Sequence, residues 1–160
     1  MSLDSREFRN IMGTFTTGVT IVTTTLYGRP RGITANSFTS VSLDPPLVMF
    51  CLGKDSTNFD AFMSSDFFAI NILSQQQEEL SARFAIFEGD RFEGVDWAAW
   101  ETGAPILDDV LAAIDCRRAA MHEAGDHIII VGTVLRAAIV NDLNPLLYFR
   151  GQYQQMVRDN

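Results

Sequence analysis

The chain has 160 residues and 47% hydrophobic content, enough for one domain with a substantial core. Its formal charge of −8, from twelve scattered Lys and Arg against twenty Asp and Glu, excludes a surface for nucleic-acid backbones, and no apolar run is long enough to cross a bilayer. The first residues, Met-Ser-Leu-Asp-Ser-Arg-Glu, lack the charged-then-apolar profile of a signal peptide, so the expected setting is cytoplasmic.

Asp4 followed by Glu7 has the form of a helix start, and Phe8, Ile11, Met12 and Phe15 then recur at helical spacing. From Gly18 the pattern becomes β-branched, and Tyr27-Gly28-Arg29-Pro30 supplies turn chemistry. The expectation is a hairpin, Val19 to Leu26 against Arg31 to Ser42. The second arm is unusual: Thr34, Ala35, Asn36, Ser37, Thr39, Ser40 and Ser42 are small or polar, and Asp44-Pro45-Pro46 stops it abruptly. The segment by itself suits either an edge strand with a wet outer face or a strand that lines a ligand. Leu47 to Leu52 reads as a strand buried on both faces.

A short helix over Asn58 to Met63 is expected after Ser56 or Thr57 as its cap, then a strand from Phe67 to Leu73. Ser74 with Gln77 resembles a capping box that opens a third helix through Phe84. Ala85 to Pro105 is a long connection anchored by Phe92, Trp97 and Trp100, and connections of this length usually carry function. Strands follow at Leu111 to His122, His127 to Val140 and Leu146 to Phe149. The whole predicts a mainly β fold over residues 1–160 as a single domain: an antiparallel barrel with a few short peripheral helices.

Chemistry is sparse. Cys51 and Cys116 sit in strand-like segments with no metal or redox spacing, which suggests buried thiols. His122 and His127 flank Glu123 to Asp126, too small a set for a metal shell, so no metal is expected. No Gly-rich nucleotide motif, nucleophile elbow or acid-base pair stands out. Lys54 beside Ser56 and Thr57 at a helix start suits a phosphate, and equally a solvated lysine next to an ordinary cap. The lack of an acid-base set fits a reaction whose chemistry belongs to a cofactor, as when hydride passes from nicotinamide to flavin.

Several blocks together resemble the flavin reductase family, the FMN-binding split barrels that serve as small reductase components of two-component flavin monooxygenases. They are Gly13-Thr14-Phe15, Thr17 to Thr24, Thr34 to Val48, Phe68 to Leu73, Arg83-Phe84-Ala85, Asp90-Arg91-Phe92, Gly94-Val95, Gly125-Asp126-His127 and Pro145 to Tyr153. The resemblance implies a Greek-key split β-barrel and an NAD(P)H:flavin oxidoreductase that passes a hydride to FMN or FAD from NADH or NADPH. The reduced flavin would go to a separate flavin-dependent monooxygenase. A non-turnover FMN-binding module or another split-barrel flavin oxidoreductase is the alternative.

By the same resemblance, Pro30, Arg31, Gly32, Ile33, Thr34, Asn36 and Ser37 would line the isoalloxazine and ribityl chain. Cys51, Leu52, Gly53, Lys54, Asp55, Ser56 and Thr57 would form the phosphate loop, with Lys54, Ser56 and Thr57 as its ligands. Ala85 and Ile86 would close over the far end, where Ile86 replaces a common glycine and favours FMN over FAD. His127 would position the nicotinamide, together with Tyr148, Phe149, Arg150 and Gly151. Such proteins form homodimers, and the first helix and the Phe92 to Trp100 loop are the candidate contacts, with core packing as the default for both.

Overall fold

The structure, a computed structural model, describes residues 2–159. Strand β2 (Thr20–Leu26) turns through Tyr27 and Gly28, both in the left-handed region with φ of 51° and 74°, and returns as β3 (Arg29–Ala35). Positive φ at both central residues is what a two-residue hairpin needs to match strand twist, and glycine takes that conformation freely. The expected second arm does not run on to Ser42. Its pairing with β2 ends at Ala35 opposite Thr20, and after Asn36–Phe38 a new strand β4 (Thr39–Leu43) pairs with β5 (Pro46–Gly53) instead.

At the break, the Ser37 hydroxyl accepts from the Cys51 N–H at 3.0 Å and lies 3.3 Å from the Cys51 carbonyl. A side chain thus takes the place of the missing ladder partner. Strand β5 alternates rather than being buried on both faces: Val48, Phe50 and Leu52 are buried, while Leu47, Met49 and Cys51 are half-buried. The remaining strands of the main sheet are β6 (Phe67–Ile72), β9 (Ala112–Ala124) and β10 (His127–Ile139). The order is β3-β2-β6-β9-β10-β5-β4, antiparallel throughout, with β3 and β4 as edges that flank the Asn36–Phe38 link.

Both faces of β2 are covered, and its neighbours Ile21 and Val22 belong to different cores. One core gathers Val22, Leu52, Ile70 and Ile130 around Phe50, which packs edge-on against Phe62 and Phe68 at 5.7 and 5.1 Å. Phe62 comes from helix α2 (Phe59–Ser64), which starts at Asn58 without a side-chain cap. The other core holds Ile21, Leu73, Phe84, Leu107 and Leu146. Phe84 belongs to helix α3 (Glu78–Ile86), entered through a 3-10 turn at Gln75–Gln77 with the expected Ser74–Gln77 capping box in place.

The connection expected between Ala85 and Pro105 is pinned to the sheet. Phe92 packs edge-on against Phe84 at 4.9 Å, and β7 (Trp97–Ala99) pairs with β8 (Pro105–Leu107). Buried Asn71 accepts from the Leu107 N–H at 2.8 Å and donates to the carbonyls of Ile21 and Pro105. Buried Asp115 receives the Thr102 N–H and hydroxyl. Fully satisfied buried polar groups of this kind specify one arrangement. The β7–β8 pair was not foreseen, nor were β1 (Thr17–Gly18) and β12 (Gln152–Gln155), which flank β11 (Leu146–Phe149) in a small third sheet.

Helix α1 (Ser5–Met12) forms as expected, with Asp4 accepting from the Arg6 N–H. None of its residues is buried, and Phe8, Ile11 and Met12 with the following Phe15 expose half or more of their surface.

Candidate functional site

The partner switch at Asn36–Phe38 opens the sheet beside β3, and the loop after β5 forms the facing wall. Between them runs an inner groove of about 460 Å³, lined by Ile33 to Ser37, Cys51, Gly53 and Asp55 to Thr57. Ala85 and Ile86 at the end of α3, with Glu88, Arg91 and His127, complete it. The hydroxyls of this wall are already engaged: Thr34 donates to the Ser81 carbonyl at 2.6 Å and Ser37 is held by Cys51. What the groove offers is therefore mainly backbone and small side chains, a surface on which a flat ring can lie close.

An outer groove of about 540 Å³ continues from the first, sharing Thr57, Glu88 and Arg91, and extends along Arg29 to Gly32 and Phe87 to Phe92. Gly32 lets β3 lie close against α3: a Cβ there would stand 2.7 Å from the Phe84 ring. Its carbonyl accepts from the Arg91 Nη1 at 2.9 Å, while Arg91 Nε donates to the Phe87 carbonyl at 2.8 Å. Among the described residues no carboxylate lies within ion-pairing distance of this guanidinium. Burial lowers its pKa, yet a guanidinium stays protonated, so a positive charge in no ion pair stands where the grooves join, with Glu88 also lining both.

At the other end, His127 opens β10 opposite Gly53. Its Nδ1 lies 2.7 Å from Asp126 Oδ1, and its Nε2 is 3.8 Å from where a Gly53 side chain would begin. The hydrogen bond from His127 holds the Asp126 carboxyl below the usual carboxylate range.

A third cavity, about 930 Å³ and mostly apolar, lies beneath α1 between Phe8, Met12, Phe15, Phe38 and Tyr148. It meets the inner groove at Asn36 and Ser37.

A family model described as the flavin reductase like domain matches residues 12–156. The chain belongs to this family of oxidoreductases. It is 50% identical over 155 residues to the FMN reductase (NADH) SmoA of Agrobacterium fabrum, covering 97% of this chain and 88% of that one. Against the reductase subunit HsaB of a flavin-dependent monooxygenase from Rhodococcus jostii the identity is 42%, over 95% and 78% of the two chains. The solved structure of the NADH:FAD oxidoreductase SgcE6 of Streptomyces globisporus C-1027, in complex with NAD and FAD fragments, superposes with a TM-score of 0.92 at 37% identity over 99% of each chain.

For a flavin reductase the placement of the expected residues matters. Pro30, Arg31 and Gly32 line the outer groove; Ile33, Thr34, Asn36, Ser37, Cys51, Gly53, Asp55, Ser56, Ala85, Ile86 and His127 line the inner one; Thr57 lines both. Tyr148, Arg150 and Gly151 face the α1 cavity instead, so the nicotinamide set divides between two openings joined at Asn36–Ser37.

Three expected residues line none of these cavities. Leu52 is fully buried in the core, because strand alternation turns it away from its groove-lining neighbours. Lys54 points its Nζ to Glu123 at 3.5 Å, and Phe149 lies beneath the Arg150 guanidinium, 5.1 Å from it. Arg91, assigned no role from the sequence although it stands in the Asp90-Arg91-Phe92 block, lies where the two grooves join. No group of three or more metal-ligating side chains occurs among the described residues.

Proposed function

We propose that the two joined grooves seat one flavin, FMN or FAD, and that the chain is the reductase component of a two-component monooxygenase system. The observation that carries this reading is a backbone-rich slot ending at a half-buried, unpaired Arg91 beside Thr57. A planar apolar ring suits the slot, and an anionic phosphate suits a guanidinium without a carboxylate partner. Gly32 and the small residues from Thr34 to Ser37 keep the wall low enough for the ring. Bound flavin supplies the redox chemistry, accepting hydride from reduced NADH or NADPH. The chain's own part is to orient the two rings, with His127 at the open end of the slot, and to keep water from between them. No protein acid or base is required.

We infer also that the protein works as a homodimer in the cytoplasm. An amphipathic helix with its apolar face uncovered supports the first inference, and two free thiols, Cys51 and Cys116, are consistent with the second. In the Phe92 to Trp100 loop, Phe92 is in the core and Trp100 packs against it beneath the Arg136 guanidinium at 4.3 Å, while Trp97 between them is exposed.

The test is a matrix of NADH and NADPH against FMN, FAD and riboflavin, followed at the nicotinamide absorbance. Oxidation stimulated by added flavin is the expected outcome. A protein that retains yellow colour through dialysis but oxidises neither nicotinamide would instead be a flavin-binding module.

A further inference from the structure

The short run from Phe87 to Asp90 borders the junction of the two grooves, and it is clamped at three points. The Phe87 carbonyl accepts from Arg91 Nε at 2.8 Å, and the Asp90 carbonyl accepts from Arg83 Nη2 at 3.0 Å. The Phe87 ring folds back onto Gly89, where a Cβ would stand 2.6 Å from it. Glu88 lies between these points, so its backbone has a fixed place although its side chain is exposed. With Thr57 and Arg91 it is one of the three residues that line both grooves.

The Glu88 carboxylate is in no ion pair among the described residues. Nor is the Arg91 guanidinium free to swing toward it, because Nη1 and Nε already donate to the carbonyls of Gly32 and Phe87. The other carboxylates of the grooves are placed differently. Asp90 Oδ1 accepts the Phe92 N–H at 3.0 Å, and Asp55 stands over Gly53 at the His127 end. An anion that reaches Arg91 therefore meets one opposing charge at the same mouth, that of Glu88, and the two act on its affinity in opposite directions.

We propose that Glu88 is a specificity-determining residue that holds down the affinity for the flavin phosphate, so that reduced flavin leaves the groove for its acceptor. The inference rests on the reading of the joined grooves as the flavin site. Arg91 draws the phosphate to the junction, and Glu88 limits how long it stays. A reductase that passes on its product by diffusion needs such a balance, since a flavin kept tightly would be a prosthetic group rather than a substrate. The discrimination is by charge alone: a phosphomonoester is repelled by Glu88, and a flavin without phosphate is not.

The experiment measures dissociation constants for FMN and riboflavin by flavin fluorescence, and the FMN dissociation rate by stopped flow, at low and high salt. The proteins are the wild type, Glu88→Gln and Glu101→Gln, the last removing an exposed carboxylate that lines neither groove. Glu88→Gln is expected to bind FMN about three- to ten-fold more tightly, the size of one like-charge repulsion across a partly aqueous groove, and chiefly through slower dissociation. Riboflavin affinity should stay the same, and at about 0.5 M salt the gain for FMN should fall below about two-fold. Glu101→Gln should change neither flavin by as much as two-fold, roughly the effect of an exposed remote charge.

Unchanged or looser FMN binding in Glu88→Gln overturns the proposal. So does a gain shared equally by riboflavin, which reports packing, a gain that survives high salt, or one matched by Glu101→Gln, which reports net charge. A wild type that binds neither flavin refutes the reading of the grooves and the proposal with it, whereas FMN binding indifferent to Glu88 strikes the proposal alone.

Discussion

The inner groove and the cavity under α1 share Asn36 and Ser37 but are built on opposite principles. The groove is walled by backbone, small residues and an arginine junction, and its wall hydroxyls at Thr34 and Ser37 are satisfied within the protein. The cavity is larger and presents aromatic and aliphatic faces from a helix that buries nothing. A surface with satisfied wall hydroxyls and a guanidinium outside any ion pair is prepared for a small anionic ligand, while an uncovered apolar face is prepared for another protein surface. The difference separates two roles that the same short link, Asn36–Phe38, places side by side.

The strongest way to break the comparison is at Gly32. A Gly32→Val substitution drives a side chain into the Phe84 ring, which is fully buried and cannot move aside cheaply. Overpacking of this kind costs about 1–3 kcal/mol, to be seen as a lower midpoint in urea, and it should abolish flavin binding in whatever folded protein remains. The cavity should be insensitive to that change and sensitive to another. Replacing both Phe8 and Phe15 by Asp is expected to weaken self-association by about a hundred-fold or more in sedimentation experiments, with flavin affinity in the groove changed far less.

Arg91 and Lys54 sharpen the comparison within the groove itself. Arg91→Ala should raise the dissociation constant for FMN by roughly ten- to a hundred-fold, in line with a charge-assisted hydrogen bond of about 1.5–3 kcal/mol. Riboflavin, which lacks the phosphate, should bind both proteins alike. Lys54→Ala removes only an exposed pair with Glu123, so less than about a three-fold change is expected for either flavin. Equal losses for the two variants would mean that the phosphate sits on the Lys54 side of the loop.

Local chemistry explains which of these features could be read from the residues. The Tyr27-Gly28 turn, the Ser74–Gln77 capping box and the β-branched run from Val19 each depend on neighbours a few positions apart, and each stands as expected. The break after Ala35 was not legible, because a row of small hydroxylated residues looks the same whether it stays with β2 or changes partner to β5. Most groove residues were found through a motif resemblance. Arg91 was missed because its place depends on the chain returning over Gly32, 59 positions earlier, to donate to its carbonyl. Lys54 shows the converse: its surroundings in sequence suit a phosphate, and the β9–β10 hairpin brings Glu123 within its reach.

A crystal structure of the FMN complex decides where the flavin sits. The ring is expected along Thr34 to Ser37 and Cys51, with the phosphate within hydrogen-bonding distance of Arg91 and Thr57. Flavin lying instead beneath α1 among Phe8, Phe15 and Tyr148, with the groove filled by its own side chains, would contradict it.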